Sequence, residues 1–214
     1  MIKKIINNIF RVLGYQLIKI KVVSTNKNIQ LTKANISNTK LITTRETLLT
    51  LLPKNGIVAE LGVDTGDYSA QILKNNKPKK LYLIDTWESK RYNETKFLNV
   101  KAKFKKEIKS GHVQIIRQRS EIGLKSFKNE TFDWLYIDTS HTYEQTRLEL
   151  SIASKKVTKN GYIVGHDYTP GNITSCLRYG VIKAVNEFCV KKKWRIVYIT
   201  MDANTPSSFC IQKI

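Results

Sequence analysis

Residues 57–69 read Ile-Val-Ala-Glu-Leu-Gly-Val-Asp-Thr-Gly-Asp-Tyr-Ser. An apolar run ends in an acid, enters a glycine turn and opens a helix. Gly62 and Gly66 have no Cβ, so the chain can turn tightly there and let a ligand approach the backbone. Glu60 and Asp67 place carboxylates beside that turn. A pyrophosphate cradle needs exposed N–H groups, a helix N-terminus and preferably a cation, whereas an acidic rim repels a dianion and suits a cation or a ribose. A lone glycine turn is also an ordinary strand-to-helix connection, so this segment by itself leaves both readings open.

The second acid lies further along. Leu81-Tyr-Leu-Ile-Asp85 is another apolar strand ending in a carboxylate, roughly 20 residues beyond the turn, where a doubly wound sheet presents an acid to ribose hydroxyls. The competing reading of Asp85 is a helix N-cap, and the two are compatible. From here strands and helices alternate. The patterns predict a helix over 43–52 stopped by Pro53, strands at 57–61, 81–85, 113–117, 133–138 and 161–166, and helices at 67–75, 94–109, 120–127 and 143–155. A helix at 179–192 and strands at 194–200 and 207–213 follow; their short connector makes that last pair antiparallel. The expected fold is therefore α/β: a Rossmann-like, doubly wound, seven-stranded sheet, mostly parallel, with an antiparallel C-terminal hairpin and helices on both faces.

At 214 residues the chain accommodates one such domain, expected over 43–214, with an N-terminal extension over 1–42. The first 45 residues carry nine Lys or Arg and no acid. Ile2, Ile5, Ile6, Ile9, Phe10, Leu13 and Leu17 recur at helical spacing among Lys3, Lys4 and Arg11. This makes an amphipathic basic helix suited to an anionic membrane surface, to a second subunit in a homodimer, or to the domain itself. Residues 22–40, rich in Asn, Thr, Ser and Lys, read as a poorly structured connector. Cys176, Cys189 and Cys210 form neither a Cys-x-x-Cys pair nor a disulfide framework, which points to a reducing compartment and against structural zinc. With no long apolar run and no signal-peptide pattern, the expectation is a cytoplasmic protein with peripheral contact at the inner membrane surface. The formal charge of +20 brings in nucleic acid, anionic membrane and acidic substrates without choosing among them. Lysine scattered among Asn and Ile is also what an A/T-rich coding sequence produces, and no arginine-rich tract or aromatic RNA-binding signature is present.

The densest polar cluster falls at the C-terminal ends of the fourth and fifth strands of the alternation. Phe132–Asp138 is followed by Thr139, Ser140 and His141; Gly161–Asp167 brings His166 and Asp167, followed by Tyr168. Adjacent strands are about 4.8 Å apart, so groups from both ends converge on one site, at the edge where open α/β sheets bind ligands. Asp138 and Asp167 are candidates to share a divalent cation, with His166 as a third ligand. His141 is placed as a general base, its ordinary pKa near 6.5 suiting proton removal from a hydroxyl. Against these stand structural roles: Asp138 as a helix cap, His141 as a first-turn residue, and His166 and Asp167 as loop-fixing groups before Pro170-Gly171. His112, in a Ser-Gly-His turn, reads as structural.

Four segments together carry a family likeness: Val58-Ala-Glu-Leu-Gly-Val-Asp-Thr-Gly66, Leu83-Ile-Asp-Thr-Trp87, Phe132-Asp-Trp-Leu-Tyr-Ile-Asp-Thr-Ser-His-Thr-Tyr-Glu144 and Asn160-Gly-Tyr-Ile-Val-Gly-His-Asp-Tyr168. Over residues 45–214 the chain resembles the class I S-adenosylmethionine (SAM)-dependent methyltransferases. More narrowly, it resembles the metal-assisted small-molecule and sugar O-methyltransferases related to macrolide-sugar methyltransferases. SAM, a sulfonium cation with a ribose, also meets the demand of the acidic glycine turn. The resemblance implies that Glu60, Gly62 and Gly66 border the methionine and ribose of SAM, that Asp85 takes the ribose hydroxyls, and that Arg119 and Ser120 lie near the adenine. It implies magnesium at Asp138 and Asp167, and His141 as the base. His166 stands where a paired acid is often found, a departure bearing on the metal. The function so implied is SAM-dependent O-methylation of a sugar or glycan, with Tyr143, Tyr168 and the 168–180 loop shaping the acceptor pocket. The competing readings are an RNA methyltransferase and a catalytically silent binding module with the same fold.

Overall fold

The computed structural model describes residues 29–172 and 177–214, with Phe10 and Val12 in addition. Apart from Phe10 and Val12, the expected basic helix near 1–17 lies outside the described residues, as do the first part of the connector and Cys176. Ten strands are described: β1 (Lys40–Ile42), β2 (Ile57–Leu61), β3 (Lys80–Asp85), β4 (Val113–Arg117), β5 (Phe132–Ile137), β6 (Val157–Gly165), β7 (Gly171–Asn172), β8 (Leu177–Arg178), β9 (Trp194–Thr200) and β10 (Phe209–Lys213). Eight of them form one sheet in the order β1-β9-β10-β6-β5-β2-β3-β4, while β7 and β8 make a separate short hairpin. Only β10 runs against its neighbours, pairing antiparallel with both β6 and β9. The other pairings of the eight-stranded sheet are parallel, and β7 and β8 pair antiparallel.

The seven expected strands are all present, and the eighth is β1, at the end of the 1–42 segment read as an extension and connector. Three residues with polar flanks give no period to detect, and side chains rather than pattern hold this segment. Asn35 Nδ2 donates to the carbonyls of Trp194 (2.7 Å) and Cys189 (3.2 Å), and Thr39 Oγ1 donates to Ile196 O at 2.7 Å. The helix expected over 94–109 breaks at Phe104 into Glu94–Lys103 and Lys105–Lys109. Phe104 is buried and packs under the glycine turn: a Cβ on Gly66 would sit 2.8 Å from its ring.

Strand period decides the two cores. Along β5, Leu135 and Ile137 join the core on one face and Trp134 and Tyr136 the other; Phe132 falls on the first face because the register shifts between it and Trp134. The first face is covered by the helices Tyr143–Lys156 and Val181–Lys192 through Leu150, Ala153, Val185 and Phe188. The second is covered by Arg45–Leu51, by Asp67–Gln71 with the π-turn Ile72–Asn76, and by Glu94–Lys103, through Leu48, Leu49, Ile72 and Val100. Strand order reverses between β2 and β5. The crevice above their C-terminal ends is where such sheets bind ligands. No described helix is long and apolar enough to cross a membrane.

Candidate active site

A cleft of about 1000 Å³ opens along the C-terminal ends of β2–β5, at the upper end of ligand-pocket sizes. Its cofactor-side wall is the loop after β2, and the backbone fixes that loop. Gly62 has φ 84°, and a Cβ there would lie 1.9 Å from the Asp138 carbonyl oxygen. Only glycine fits between the two strand ends. Asp85 holds the same loop from β3: one carboxylate oxygen accepts from Val63 N (2.8 Å) and Asp64 N (3.1 Å), the other from Thr86 N (2.7 Å) and Trp87 N (3.3 Å). The indole of Trp87 donates to Asp64 O at 2.9 Å and completes the clamp. Asp85 therefore does not cap a helix; Asn93 caps the helix that follows.

The acidic rim is partly neutralised by the helix Glu94–Lys103. Lys96 pairs with Asp64, and Lys103 with Asp67 at 2.6 Å. The Lys103 hydrogen bond holds the Asp67 carboxyl below its usual range. Glu60 is different. It is almost fully buried and accepts from Ser69 Oγ. Burial pushes its pKa up to about 8, against the opposing Ser69 bond and with help from Asp138.

At the β4 end, Ser120 Oγ donates to Glu149, and Thr139 Oγ1 donates to the other oxygen of Glu149 at 2.9 Å. Gln145 Nε2 bonds Ser120 Oγ (3.1 Å), Glu121 Oε2 (3.2 Å) and Glu149 Oε1 (3.0 Å). Arg119 is mostly exposed and pairs with Glu121 at 2.8 Å. The sequence reading named Arg119 and Ser120 and missed Glu121, Gln145 and Glu149. The last two stand four apart on one helix, spacing that places them on the same face, and Glu149 is a charged residue where the helix should be apolar.

On the acceptor side, His141 Nδ1 lies 3.0 Å from Asp167 Oδ2, and His166 Nδ1 lies 3.3 Å from the same oxygen. Burial alone would raise the Asp167 pKa, but the two imidazoles overcome it and hold the carboxyl well below its usual range. Burial likewise opposes the charged form of His141, yet the Asp167 bond and the Asp138 charge raise its pKa. Asp138 is pushed up chiefly by burial. Both His141 (φ 56°) and Asp167 (φ 57°) adopt the left-handed conformation, as does Asp64 (φ 51°). Non-glycine residues there store about 1–3 kcal/mol each and cluster at ligand clamps. Thr142, not Asp138 or His141, caps the following helix by accepting from Gln145 N, so the capping role weighed for Asp138 is not observed. The His141 ring packs on Tyr179 with centroids 4.8 Å apart, a contact no sequence motif signalled. Tyr143 and Tyr168 instead bond Glu187 (2.6 Å) and Asn186 (2.7 Å) on the helix Val181–Lys192.

Among the described residues, one ligand atom each from Asp138, His141 and Asp167 lie within 4.8 Å of one another. His166, expected as the third metal ligand, is outside that trio; its Nδ1 faces Asp167, and its Nε2 is buried without a partner. Two carboxylates together with one imidazole suit a transition ion better than magnesium, which prefers all-oxygen shells.

The methyltransferase-domain family matches residues 59–168, half of the chain and every loop just described from Glu60 to Asp167. The chain belongs to that family. Its fold is that of the class I SAM-dependent methyltransferases. One similar solved structure is a candidate rRNA methylase from Clostridium thermocellum, with 18% identity, TM-score 0.58, and 79% of this chain and 93% of that chain covered. Another is the tRNA methyltransferase TrmK of B. subtilis, with 13% identity, TM-score 0.57 and coverages of 81% and 67%. A third is the candidate methyltransferase SMU.1697c from Streptococcus mutans in complex with S-adenosylhomocysteine (SAH), with 16% identity, TM-score 0.55 and coverages of 79% and 96%. No curated protein matches the chain.

Proposed function

We propose that this methyltransferase transfers a methyl group to a hydroxyl of a sugar or glycan acceptor, with His141 as general base. The observation that carries the reading is the 3.0 Å contact between His141 Nδ1 and Asp167 on the lip of the cofactor cleft. With the proton on Nδ1, the carboxylate orients the ring and stabilises the imidazolium, leaving Nε2 to take a proton from an acceptor hydroxyl. SAM supplies an electrophilic methyl on a sulfonium. The chain's own task is alignment, because charge is lost as the reaction proceeds and a pre-positioned alkoxide gains most from orientation. Gly62 lets the backbone approach, Asp85 keeps the loop in shape, and the Ser120–Glu149–Gln145 network presents polar groups to the far end of the cleft. The donor set fits magnesium poorly, and this reading assigns deprotonation to the His141–Asp167 pair without a metal.

RNA methylation is the second reading, favoured by the +20 charge and by the names of two similar structures. We further propose homodimer formation or peripheral membrane contact for the basic segment before residue 29. Labelled methyl transfer from SAM to a panel of nucleotide sugars and glycans, run beside RNA transcripts at two salt concentrations, separates the readings. Label in sugar, lost in His141→Ala, supports the proposal; label only in RNA, falling steeply with salt, replaces it.

A further inference from the structure

We infer that Arg45, with the hydroxyl of Tyr68, is the receptor for the α-carboxylate of the cofactor's methionine end. The inference rests on the reading of the cleft as a SAM site, and it involves a residue outside the family-matched segment. Arg45 is the first residue of the helix Arg45–Leu51, which Thr44 caps by accepting from Thr47 N at 3.1 Å. Leu48 and Leu49, both fully buried, press that helix onto the sheet and carry Arg45 to the cleft wall. Its guanidinium carbon lies 4.6 Å from the centre of the Tyr68 ring. Among the described residues its one ion pair is Nε to Glu46, long at 3.6 Å.

Two buried hydroxyls sit beside this cation. The Tyr68 and Tyr136 rings are 4.3 Å apart. The Tyr68 OH, on the cleft wall, has no hydrogen-bond partner among the described residues, whereas the Tyr136 OH, off the cleft lining, stands next to Arg45 and Ser208. Buried polar atoms left unpaired are rare and point to a missing partner. Guanidinium offers only donors, and a buried phenol stays protonated and donates. Donors outnumber acceptors in this cluster, which calls for an acceptor, and its positive charge calls for an anion.

Neighbouring groups restrict the anion further. Asp138 acts electrostatically on Arg45, and the buried Glu60 carboxyl stands beside the same corner, so a carboxylate carrying its own ammonium finds a cation for one end and carboxyl acceptors for the other. Strand order places that zwitterion. Ser120 follows β4, Asp85 ends β3, Glu60 lies in β2 and Tyr136 in β5. These four neighbouring strands span roughly 14 Å at about 4.8 Å each. A nucleoside with its base at β4 and its ribose at β3 directs its 5′ substituent toward β2 and β5, where Arg45 waits.

The test compares two ligands by calorimetry: SAH, which carries the amino-acid end, and 5′-methylthioadenosine, which lacks it. Arg45→Met should weaken SAH binding by about 10–100-fold, the range for a lost charged hydrogen-bond pair, and leave methylthioadenosine within about twofold. Tyr68→Phe, isosteric and so safe for the fold, should weaken SAH by a few-fold with the same selectivity and carries the test should Arg45→Met not fold. Equal loss of both ligands, or no loss of either, would overturn the inference. Wild-type binding of both ligands with equal affinity would also overturn it while leaving a nucleoside cleft; binding of neither would remove the SAM reading beneath it.

Discussion

The two walls of the cleft are built by different means. On the cofactor side, backbone geometry fixes the shape: Gly62 cannot carry a Cβ, and four amides converge on Asp85. On the acceptor side, side chains from distant segments meet in pairs, with Asp167 between His141 and His166 and with Tyr179 on the His141 ring. A wall made by backbone tolerates few residue types, whereas a wall made by side chains can be reshaped without changing the fold. This is one physical reason the fold class names the cofactor and leaves the acceptor open.

The contrast predicts that changes on the two walls separate binding from transfer. The largest effect is expected on the acceptor side: His141→Ala should lower kcat by about 10²–10⁴-fold, the usual worth of a general base, with SAH affinity unchanged by calorimetry. A comparable loss of SAH affinity would mean the two walls are not independent. Gly62→Ala should do the reverse. The clash with Asp138 O at 1.9 Å cannot relax without parting β2 from β5, so a loss of about 3 kcal/mol and a Tm lower by roughly 6–12 °C are expected in a thermal melt, together with lost cofactor binding.

The third prediction sharpens the acceptor wall. Asp167 raises the His141 pKa, so kcat/KM should rise with pH through a limb above the ordinary imidazole value as the ring loses its proton. In Asp167→Asn that limb should move to lower pH, with a roughly tenfold lower plateau from lost orientation. An unmoved limb would assign the titration to another group. The smallest effect concerns Glu60. Its pKa is about 8 in the folded chain and near 4.5 when unfolded, so the folded state holds a proton that the unfolded state releases. Its contribution to stability is greatest below pH 4.5 and declines as pH rises toward 8. Glu60→Gln should flatten this slope by up to about 1 kcal/mol between pH 6 and 7 in denaturant melts.

The same contrast explains what the sequence disclosed. Gly62, Gly66 and Asp85 stood out because a turn beside a strand end admits few alternatives, and the sheet followed from a regular alternation of periods. Asp138, His141 and Asp167 were legible as a cluster because adjacent strand ends converge. Arg45, Gln145 and Tyr179 were not. Each reaches the cleft from a helix or loop whose approach depends on packing, and β1 is held by Asn35 and Thr39 rather than by a hydrophobic pattern. His166 shows the limit in the other direction: its neighbour Asp167 entered the trio, but its ring turned toward that carboxylate instead of the shared site.

The most direct test of the central claim is a calorimetric titration of the protein with SAH, beside Asp85→Ala, which removes the acceptor for all four loop amides. The account predicts one-site binding in the micromolar range that the substitution abolishes while the far-UV spectrum is retained. Binding of equal strength in Asp85→Ala, or no heat with the unaltered protein, would contradict it.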